Sequence, residues 1–429
     1  MNTESEGTRR AAGAVWLAVL TLFAIVNVAR MTLSSVGHDF YQFWSIGQAS
    51  QHDAATNLYT NATSRAISER ALRRVSRPES SRRGIRAAAI NRRLYADGVD
   101  PISTPTYYAV FAALSSDDYD ADLLSFQFVS TAMLFVAGWF LCRHLGYSPV
   151  TAVLALTVLV LVYGPLHADI ETGNTNRLQL ALLAAALALH HLRSRQAIRV
   201  AAGALLGGLI VLKPNLVSIP FFLAAVWLAD RRFSELRSAA IGWILGAGAA
   251  VAIGSLVFSW ESWSQWISAL SVYQSHPAPI SQSNWSSARL IFEWTGADVS
   301  ALLGLSLLVC AATCAYRGRS RAIGTSPIDR DIAAVGAALL VPLIASQVAW
   351  DHYFLLAAPA LIVALCPTRG SLARQVGAAA VLCACAVSPL RIAWPDIGPL
   401  GLAISLAVGT GGLFALSMRE LTRPPTTND

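Results

Sequence analysis

The sequence predicts an all-α, polytopic membrane protein, and three observations carry that reading. Of its 429 residues, 55% are apolar and only 13% charged, against about 25% charged in an ordinary soluble domain. The mean hydropathy is +0.50. Apolar runs near twenty residues recur from one end to the other, and about 20 such residues suffice for a helix to cross a bilayer. Disorder, a coiled coil and a secreted disulfide scaffold are thereby excluded. So are the roughly three soluble domains of ~150 residues that length alone suggests.

The predicted spans are 11–30, 121–142, 148–166, 175–192, 198–212, 215–229, 238–258, 297–316, 332–348, 353–366, 374–389 and 397–417, about twelve helices in one integral membrane domain over 1–429. Arg9-Arg10 precede an apolar stretch from Ala11 to about Val28. A signal-peptide core runs about 7–15 residues to a small-residue cleavage site. This stretch is longer and continues into Asn27-Val-Ala-Arg30, so it is expected to remain as the first span. Two pairs of short runs meet at polar breaks, Lys213-Pro214-Asn215 and Trp350-Asp351-His352. Helices that stop inside the protein in this way can line a cavity with polar backbone.

Two long connections stand out. Residues 31–103 form the first outer loop, with ten arginines from Arg65 to Arg93. Ile67, Ala71, Leu72 and Val75 share one helical face opposite Arg65, Arg70, Arg73 and Arg74. A basic amphipathic helix on the membrane surface is expected there, with a second from about Arg83 to Leu94; a solvated loop is the alternative. The connection 259–296 carries Trp260, Trp263, Trp266, Trp285 and Trp294, which suit interfacial anchoring, with sugar stacking open to one or two.

Orientation follows from the short loops. Arg143, Arg193, Arg195, Arg199, Arg231, Arg232, Arg237, Arg317, Arg319, Arg321, Arg330, Arg369, Arg374, Arg419 and Arg423 fall on one side. The other side has almost none beyond Arg177, Lys213, Arg289 and Arg391. Positive loops stay inside, so both termini are expected in the cytoplasm, and the first loop is too long for the rule to count. The formal charge of +7 comes from thirty-one arginines and a single lysine. No basic, aromatic-interleaved patch on a soluble domain points to nucleic acid. Cys142, Cys310, Cys314, Cys366, Cys383 and Cys385 sit in or beside apolar runs, as small packing residues rather than a zinc or redox site.

Sorting polar residues by side gives the functional clue. The predicted inner loops hold plain Arg, Ser and Gly. The outer helix ends hold His38-Asp39, His167 to Arg177, Lys213, Gln282-Ser-Asn284, Arg289, Gln347 and Asp351-His352. Acids, bases and amides at membrane depth are functional-site candidates, and their convergence on one face implies an outward-facing chamber. Asp39, in Gly37-His-Asp-Phe-Tyr-Gln-Phe-Trp-Ser-Ile-Gly47, is either a desolvated general base or a helix cap accepting backbone N–H groups. Lys213 either meets an anionic ligand such as a phosphate or snorkels to the interface. His352 follows on the same side; a satisfied structural histidine is its alternative. Asn174-x-Asn176 opens a helix and can act as its cap. Asp117-Asp118-Tyr-Asp120-Ala-Asp122 reads as the N-terminal cap of the span near 121 rather than a metal site.

Asp39-Phe, Trp44-Ser-Ile-Gly47 and Leu58-Tyr59 together resemble the first outer loop of glycosyltransferase family 87. Ser103-Thr-Pro105-Thr-Tyr-Tyr-Ala-Val-Phe resembles the family's Tyr-Pro-Pro segment, without its first Tyr and second Pro. Gly173-Asn-Thr-Asn176 resembles its Gly-Gln-x-Asn helix start, with Asn174 in place of Gln. Leu212-Lys213-Pro214 matches directly, Gln282-Ser-Asn284-Trp-Ser only loosely, and Ser346-Gln-Val-Ala-Trp350-Asp-His352 resembles a late Ser-x-x-Trp-x-His. These matches keep their order over roughly 37–355. The arginine-rich insert departs from shorter relatives. The resemblance implies a GT-C fold and transfer of mannose or arabinofuranose from a polyprenyl-phosphate sugar to a glycan or glycolipid acceptor. It makes Asp39 the base of an inverting displacement, Lys213 and His352 cations for the lipid phosphate, and Arg289 a weaker third. Asn174, Asn176, Asn284 and Tyr41 are expected at the donor. No metal or other cofactor is expected, and membrane lipids are the surroundings.

A lipid-linked sugar transporter or flippase is the rival from another class. It favours internal repeats and midplane polar groups, and neither is evident. A polymerase or ligase using a lipid diphosphate is a third reading, favoured by more than one cation near Lys213.

Overall fold

The computed structural model describes residues 3–52, 57–77, 82–95, 98–192, 195–275, 278–282, 284–319, 326–366, 379 and 396–422. The predicted span 374–389, residue 379 apart, lies outside them, as do Cys383, Cys385 and Arg391. The described residues are helical, with no strand beyond a single bridge between Asn284 and Trp350. Helix α1 (Thr3–Ser34) leads into four shorter ones, α2 (His38–His52), α3 (Asn61–Val75), α4 (Arg82–Leu94) and α5 (Pro105–Leu114). Next come α6 (Tyr119–His144), α7 (Pro149–Val162), α8 (Gly164–Thr172), α9 (Asn176–Leu192), α10 (Gln196–Leu212), α11 (Ser218–Ala229) and α12 (Phe233–Phe258). The chain continues through α13 (Glu261–Ser275), α14 (Ser287–Thr295), α15 (Ser300–Gly318), α16 (Pro327–Ala345), α17 (Ala358–Ala364) and α18 (Pro399–Thr422).

Among the described residues, five helices are long and apolar enough to cross a membrane: α1 over Ala12–Ser34, α6, α12, α15 and α18. The α7–α8 pair, bent by 66°, makes a sixth if it is one span. Their outer faces stay apolar, with Trp16, Phe23, Ile244, Leu256, Leu302 and Leu305 exposed, as lipid-facing surfaces require. Helices α10 and α12 approach through Gly203, Gly207, Gly242 and Gly246, where an added Cβ meets the partner's backbone within 3.1 Å. Small residues at that spacing let membrane helices pack backbone to backbone.

Both predicted breaks are present. Proline lacks an N–H and keeps the preceding residue out of the α region. Accordingly Lys213 is extended (φ −138°, ψ 95°) before a 3₁₀ turn over Pro214–Leu216. The second break starts at Ser346, extended after α16, and ends in a 3₁₀ turn over Asp351–Ala357. Asp118 caps α6, its Oδ1 accepting the Asp120 and Ala121 N–H groups at 3.0 and 3.1 Å.

The first loop departs from expectation in one respect. Both amphipathic helices form, as α3 and α4, and much of their apolar surface is buried against protein, although Ile85 and Leu94 of α4 stay exposed. Ile67, Ala71, Val75, Ala87 and Ala88 are buried with Phe43, Trp44 and Tyr119 in one core. The apolar stripe reaches the aromatic face of α2 before any membrane surface, and protein burial satisfies it. Asn91 completes the clamp by donating to the His38 and Ala87 carbonyls at 2.8 and 3.0 Å. Cys142 and Cys366 pack in a small apolar cluster, and none of the four described cysteines is in a disulfide.

Candidate active site

Two glycines bring α2 against the start of α9. Gly37 (φ 65°) turns the chain from α1 into α2, and Gly173 (φ 71°) ends α8 in the left-handed region. Their backbones are so close that a Cβ on Gly173 would lie 3.1 Å from the Gly37 Cα and 2.8 Å from the Phe40 Cβ. The Gly37 N–H donates to the Glu171 carbonyl at 3.1 Å, and the Ser35 hydroxyl to that of Ile170 at 2.9 Å. No side chain larger than hydrogen fits this crossing.

The crossing sets Asp39, in the first turn of α2, beside Asn174. The Asn174 amide donates to Asp39 Oδ2 at 2.8 Å and reaches His352 Nε2 at 3.1 Å. His352 Nε2 itself stands 3.6 Å from Asp39 Oδ2, and His38 Nε2 is 3.6 Å from Oδ1. Asp39 is 8% exposed. Among the described residues its carboxylate accepts a side-chain amide and no backbone N–H, so the helix-cap alternative is not realised.

The hydrogen-bond pattern also orients the Asn174 amide. A carboxylate only accepts, so the group facing Asp39 is the Asn174 NH₂; the Asn174 Oδ1 correspondingly takes the Thr175 N–H at 2.7 Å. The same NH₂ faces His352 Nε2, so Asp39 and His352 share the Asn174 amide, and His352 Nε2 also stands beside the Asp39 carboxylate.

Lys213 supplies the cation. Its ammonium lies 5.4 Å from the Tyr107 ring centroid and 5.5 Å from that of Tyr353. Aromatic faces hold a cation without neutralising it. It has no salt-bridge partner among the described residues, and it lies close enough to feel Asp39 and Asp169. Below it, Arg177 Nε and Asp169 Oδ2 form a fully buried ion pair at 2.6 Å. Arg177 also donates to Thr131 at 2.6 Å. Asn176 links that pair to the site, donating to Asp169 Oδ1 at 2.9 Å and to the His352 carbonyl at 3.0 Å.

Three expected donor-site residues make contacts of their own apart from the Asp39–Asn174 hydrogen bond. Tyr41, two positions past Asp39, points to the other side of α2 and is buried beside Trp44 and Tyr119. Arg289 donates to Glu293 at 2.9 Å, one turn along its own helix, and packs over Phe292. Asn284 donates to the Ala278 and Gln347 carbonyls and accepts the Ala349 N–H, each at 2.8 Å. It holds the strand-like stretch that leads to His352, and its amide has nothing left for a ligand. Tyr107, Thr175 and Tyr353 were missed by sequence reasoning. The Tyr107 hydroxyl and Thr175 lie 3.1 Å apart; the Tyr107-Tyr108 pair in an otherwise apolar stretch was the available signal.

One group could bring three metal-ligand atoms together, within 4.8 Å of one another: His190, Glu235 and Asp331. It lies about 20 Å from the start of α9, by the rise of 1.5 Å per residue. Arg232 already donates to Asp331 Oδ1 at 2.8 Å and pairs with Glu235. An arginine occupies the place of a cation there.

Fold and site together define a membrane-embedded helical protein with a buried carboxylate, amide and imidazole beside one unpaired ammonium. Residues 102–342, more than half of the chain, match glycosyltransferase family 87. The chain belongs to that family and is a glycosyltransferase. Comparison with curated proteins gives no match, and comparison with solved structures gives none. The matched stretch contains Asn174, Asn176 and Lys213 but stops short of Asp39 and His352, which the fold carries to Asn174.

Proposed function

We propose that the chain transfers a sugar, mannose or arabinofuranose in type, from a polyprenyl-phosphate donor to a hydroxyl of a glycan or glycolipid acceptor, inverting the anomeric centre. The observation that carries this is the pairing of functions at one place. Asp39 has one carboxylate oxygen held by Asn174, and Lys213 offers an ammonium free of a counter-ion among the described residues. The acceptor hydroxyl gives its proton to Asp39 as its oxygen attacks C1. The bond from C1 to the phosphate oxygen breaks, and the pair of electrons leaves with the polyprenyl phosphate. That leaving group is already anionic, so it needs a cation more than a proton, and Lys213 supplies one. No step written here calls for a metal or other cofactor.

The arrangement in the cell follows from the arginine count: an inner-membrane, multi-pass GT-C protein of about twelve spans, with both termini cytoplasmic and the reaction at the outer face. The twelve include the shorter helices α9, α10, α11, α16 and α17. A lipid-linked sugar transporter remains the alternative from another class. It has no use for a carboxylate hydrogen-bonded to an amide at one end of the bundle.

The test is Asp39→Asn in the purified full chain, supplied with a panel of polyprenyl-phosphate sugars. General bases contribute roughly 10²–10⁴-fold, so turnover falls by about that factor while the donor lipid still binds. Turnover at the wild-type rate removes Asp39 as the base. Lipid binding without any sugar transfer by the wild type favours the transporter.

A further inference from the structure

A second cavity, of about 450 Å³, opens beside the Asp39 group between the first loop and α13. Small-ligand sites occupy roughly 300–1,000 Å³. Its polar lining is Tyr59, Asn61, Ser64, Tyr95, Asp100 and Tyr273, and the rest is apolar. The lining connects to the reaction centre by two routes. Gln42, one turn along α2 from Asp39, accepts the Asp100 N–H at 3.1 Å and hydrogen-bonds the Tyr95 hydroxyl. Tyr273 hydrogen-bonds Trp350, two residues before His352, and both Tyr95 and Tyr273 lie within electrostatic reach of Asp39.

Three features restrict what fits. First, among the described residues the lining holds a carboxylate and no lysine, arginine or histidine, which disfavours an anion; the phosphate belongs with Lys213. Second, the Asp100 carboxylate has no hydrogen-bond partner among the described residues, and burial pushes its pKa up to about 6. A carboxylate with no protein partner that faces an open cavity can accept hydrogen bonds from a ligand's hydroxyls. Third, tyrosine rings present flat apolar faces with hydroxyl tips, which suit the alternating C–H and O–H surfaces of a sugar ring. Asn61 and Ser64 come from the first turn of α3, Tyr95 and Asp100 from the turn after α4, and five of the six precede residue 102, where the family match starts.

We infer that this cavity is the acceptor subsite, and that it takes an uncharged saccharide whose hydroxyls bond the Asp100 carboxylate while the tyrosines pack against its rings. The inference rests on the proposed sugar transfer and assigns the first loop a purpose within it: the start of α3 and the turn after α4 build one wall of the acceptor subsite. Trp266, which donates to the Ile102 carbonyl at 3.0 Å, pins α13 over the same cavity.

The experiment has two arms. In the first, detergent-purified full-length protein is applied without donor to an array of neutral, sulfated and uronate glycans. Neutral glycans are retained, and Asp100→Asn and Tyr273→Ala each weaken retention about tenfold, the worth of one lost charge-assisted bond. Tyr273→Phe, which keeps the ring, retains most of the binding and controls for folding. Retention of acidic glycans alone, of none, or undiminished retention by Asp100→Asn overturns the inference. In the second arm, the retained glycans are offered as acceptors with polyprenyl-phosphate sugars. The acceptor KM of Asp100→Asn rises about tenfold while the donor KM stays within about twofold; a shift of the donor KM as large as the acceptor's overturns it. Absence of transfer by the wild type, with neutral glycans still retained in the first arm, counts against the transferase reading and leaves the subsite standing.

Discussion

Gly173→Ala tests the crossing on which the site depends. The added Cβ starts 2.8 Å from the Phe40 Cβ and 3.1 Å from the Gly37 Cα. Carbon atoms prefer about 3.5–4.0 Å, so α2 and the α8–α9 turn must part by roughly 0.7–1.2 Å. The backbone at Gly173 also has φ 71°, a left-handed conformation that costs a residue with a Cβ roughly 1–2 kcal/mol. Overpacking adds about 1–3 kcal/mol, for a loss of stability of about 2–5 kcal/mol. Asp39 and Asn174 flank the contact, and a displacement near 1 Å costs about 10²-fold in rate. Gly296→Ala is the matched control: it has the same φ of 71° and nothing within 4 Å of its Cβ. It pays only the backbone term, about 1–2 kcal/mol, and keeps its turnover. Thermal unfolding in detergent and kcat/KM for sugar transfer read the two effects. If Gly173→Ala behaves as Gly296→Ala does, the close crossing is not what positions Asp39, and the reasoning fails.

Three further outcomes are expected. Lys213→Ala raises the donor KM and lowers kcat in titrations with polyprenyl-phosphate sugar, together by roughly 10²-fold, the scale of a lost oxyanion contact; unchanged values remove Lys213 from the leaving group. Arg177→Leu leaves Asp169 buried without its partner and destabilises the protein by about 3–5 kcal/mol, whereas the double variant with Asp169→Leu recovers much of that loss in the same melt. The Asp100 carboxyl, raised to about 6 from its usual 3.8, contributes stability that is fully present below about pH 3.8 and lost as the pH rises through about 6. The thermal midpoint of the wild type therefore falls across that window relative to Asp100→Asn, and parallel curves for the two proteins exclude the effect.

How much of this was legible depends on what a sequence encodes. The break at Lys213-Pro214 is covalent chemistry, since proline cannot continue the hydrogen-bond ladder, and it is found where expected. The gathering of Asp39, Asn174 and His352 was legible by another route: polar residues at the ends of apolar runs have few places to go but one chamber. What the runs do not encode is direction around a helix or competition for a partner. Tyr41 shares a helix with Asp39 but turns the other way into aromatic packing. Arg289 has the right charge and depth, yet Glu293 lies one turn along the same helix and takes it first. An i, i+4 carboxylate was readable as a rival. Asn284 was lost for a third reason. Its partners are main-chain groups of the 347–349 stretch, and nothing in a residue's identity announces which backbone it will serve. The apolar stripe of α3 was seen correctly, but not what covers it, because lipid and a protein aromatic face make the same demand on a sequence.

The same competition explains why so few charges are left to act. Asp169 and Arg177, both fully buried, close on each other and hold α8 against α9. Asp331 and Arg232 do likewise at the far end of α9. Each such pair neutralises itself, and its contribution is to fix the geometry. Asp39 and Lys213 differ: opposite in sign and within electrostatic reach, they form no ion pair. Asn174 holds the carboxylate and two tyrosine rings hold the ammonium. In the proposed reaction that separation is what makes the centre useful. A salt-bridged Asp39 is a poor base, and a salt-bridged Lys213 has little charge to offer a phosphate. With a neutral amide and neutral rings as their supports, neither is paired off by the other before the substrates arrive. A variant that lets them meet, such as Tyr353→Ala, removes one of those rings. It is expected to lose transfer with its fold intact, and transfer at the wild-type rate would show that the separation is incidental.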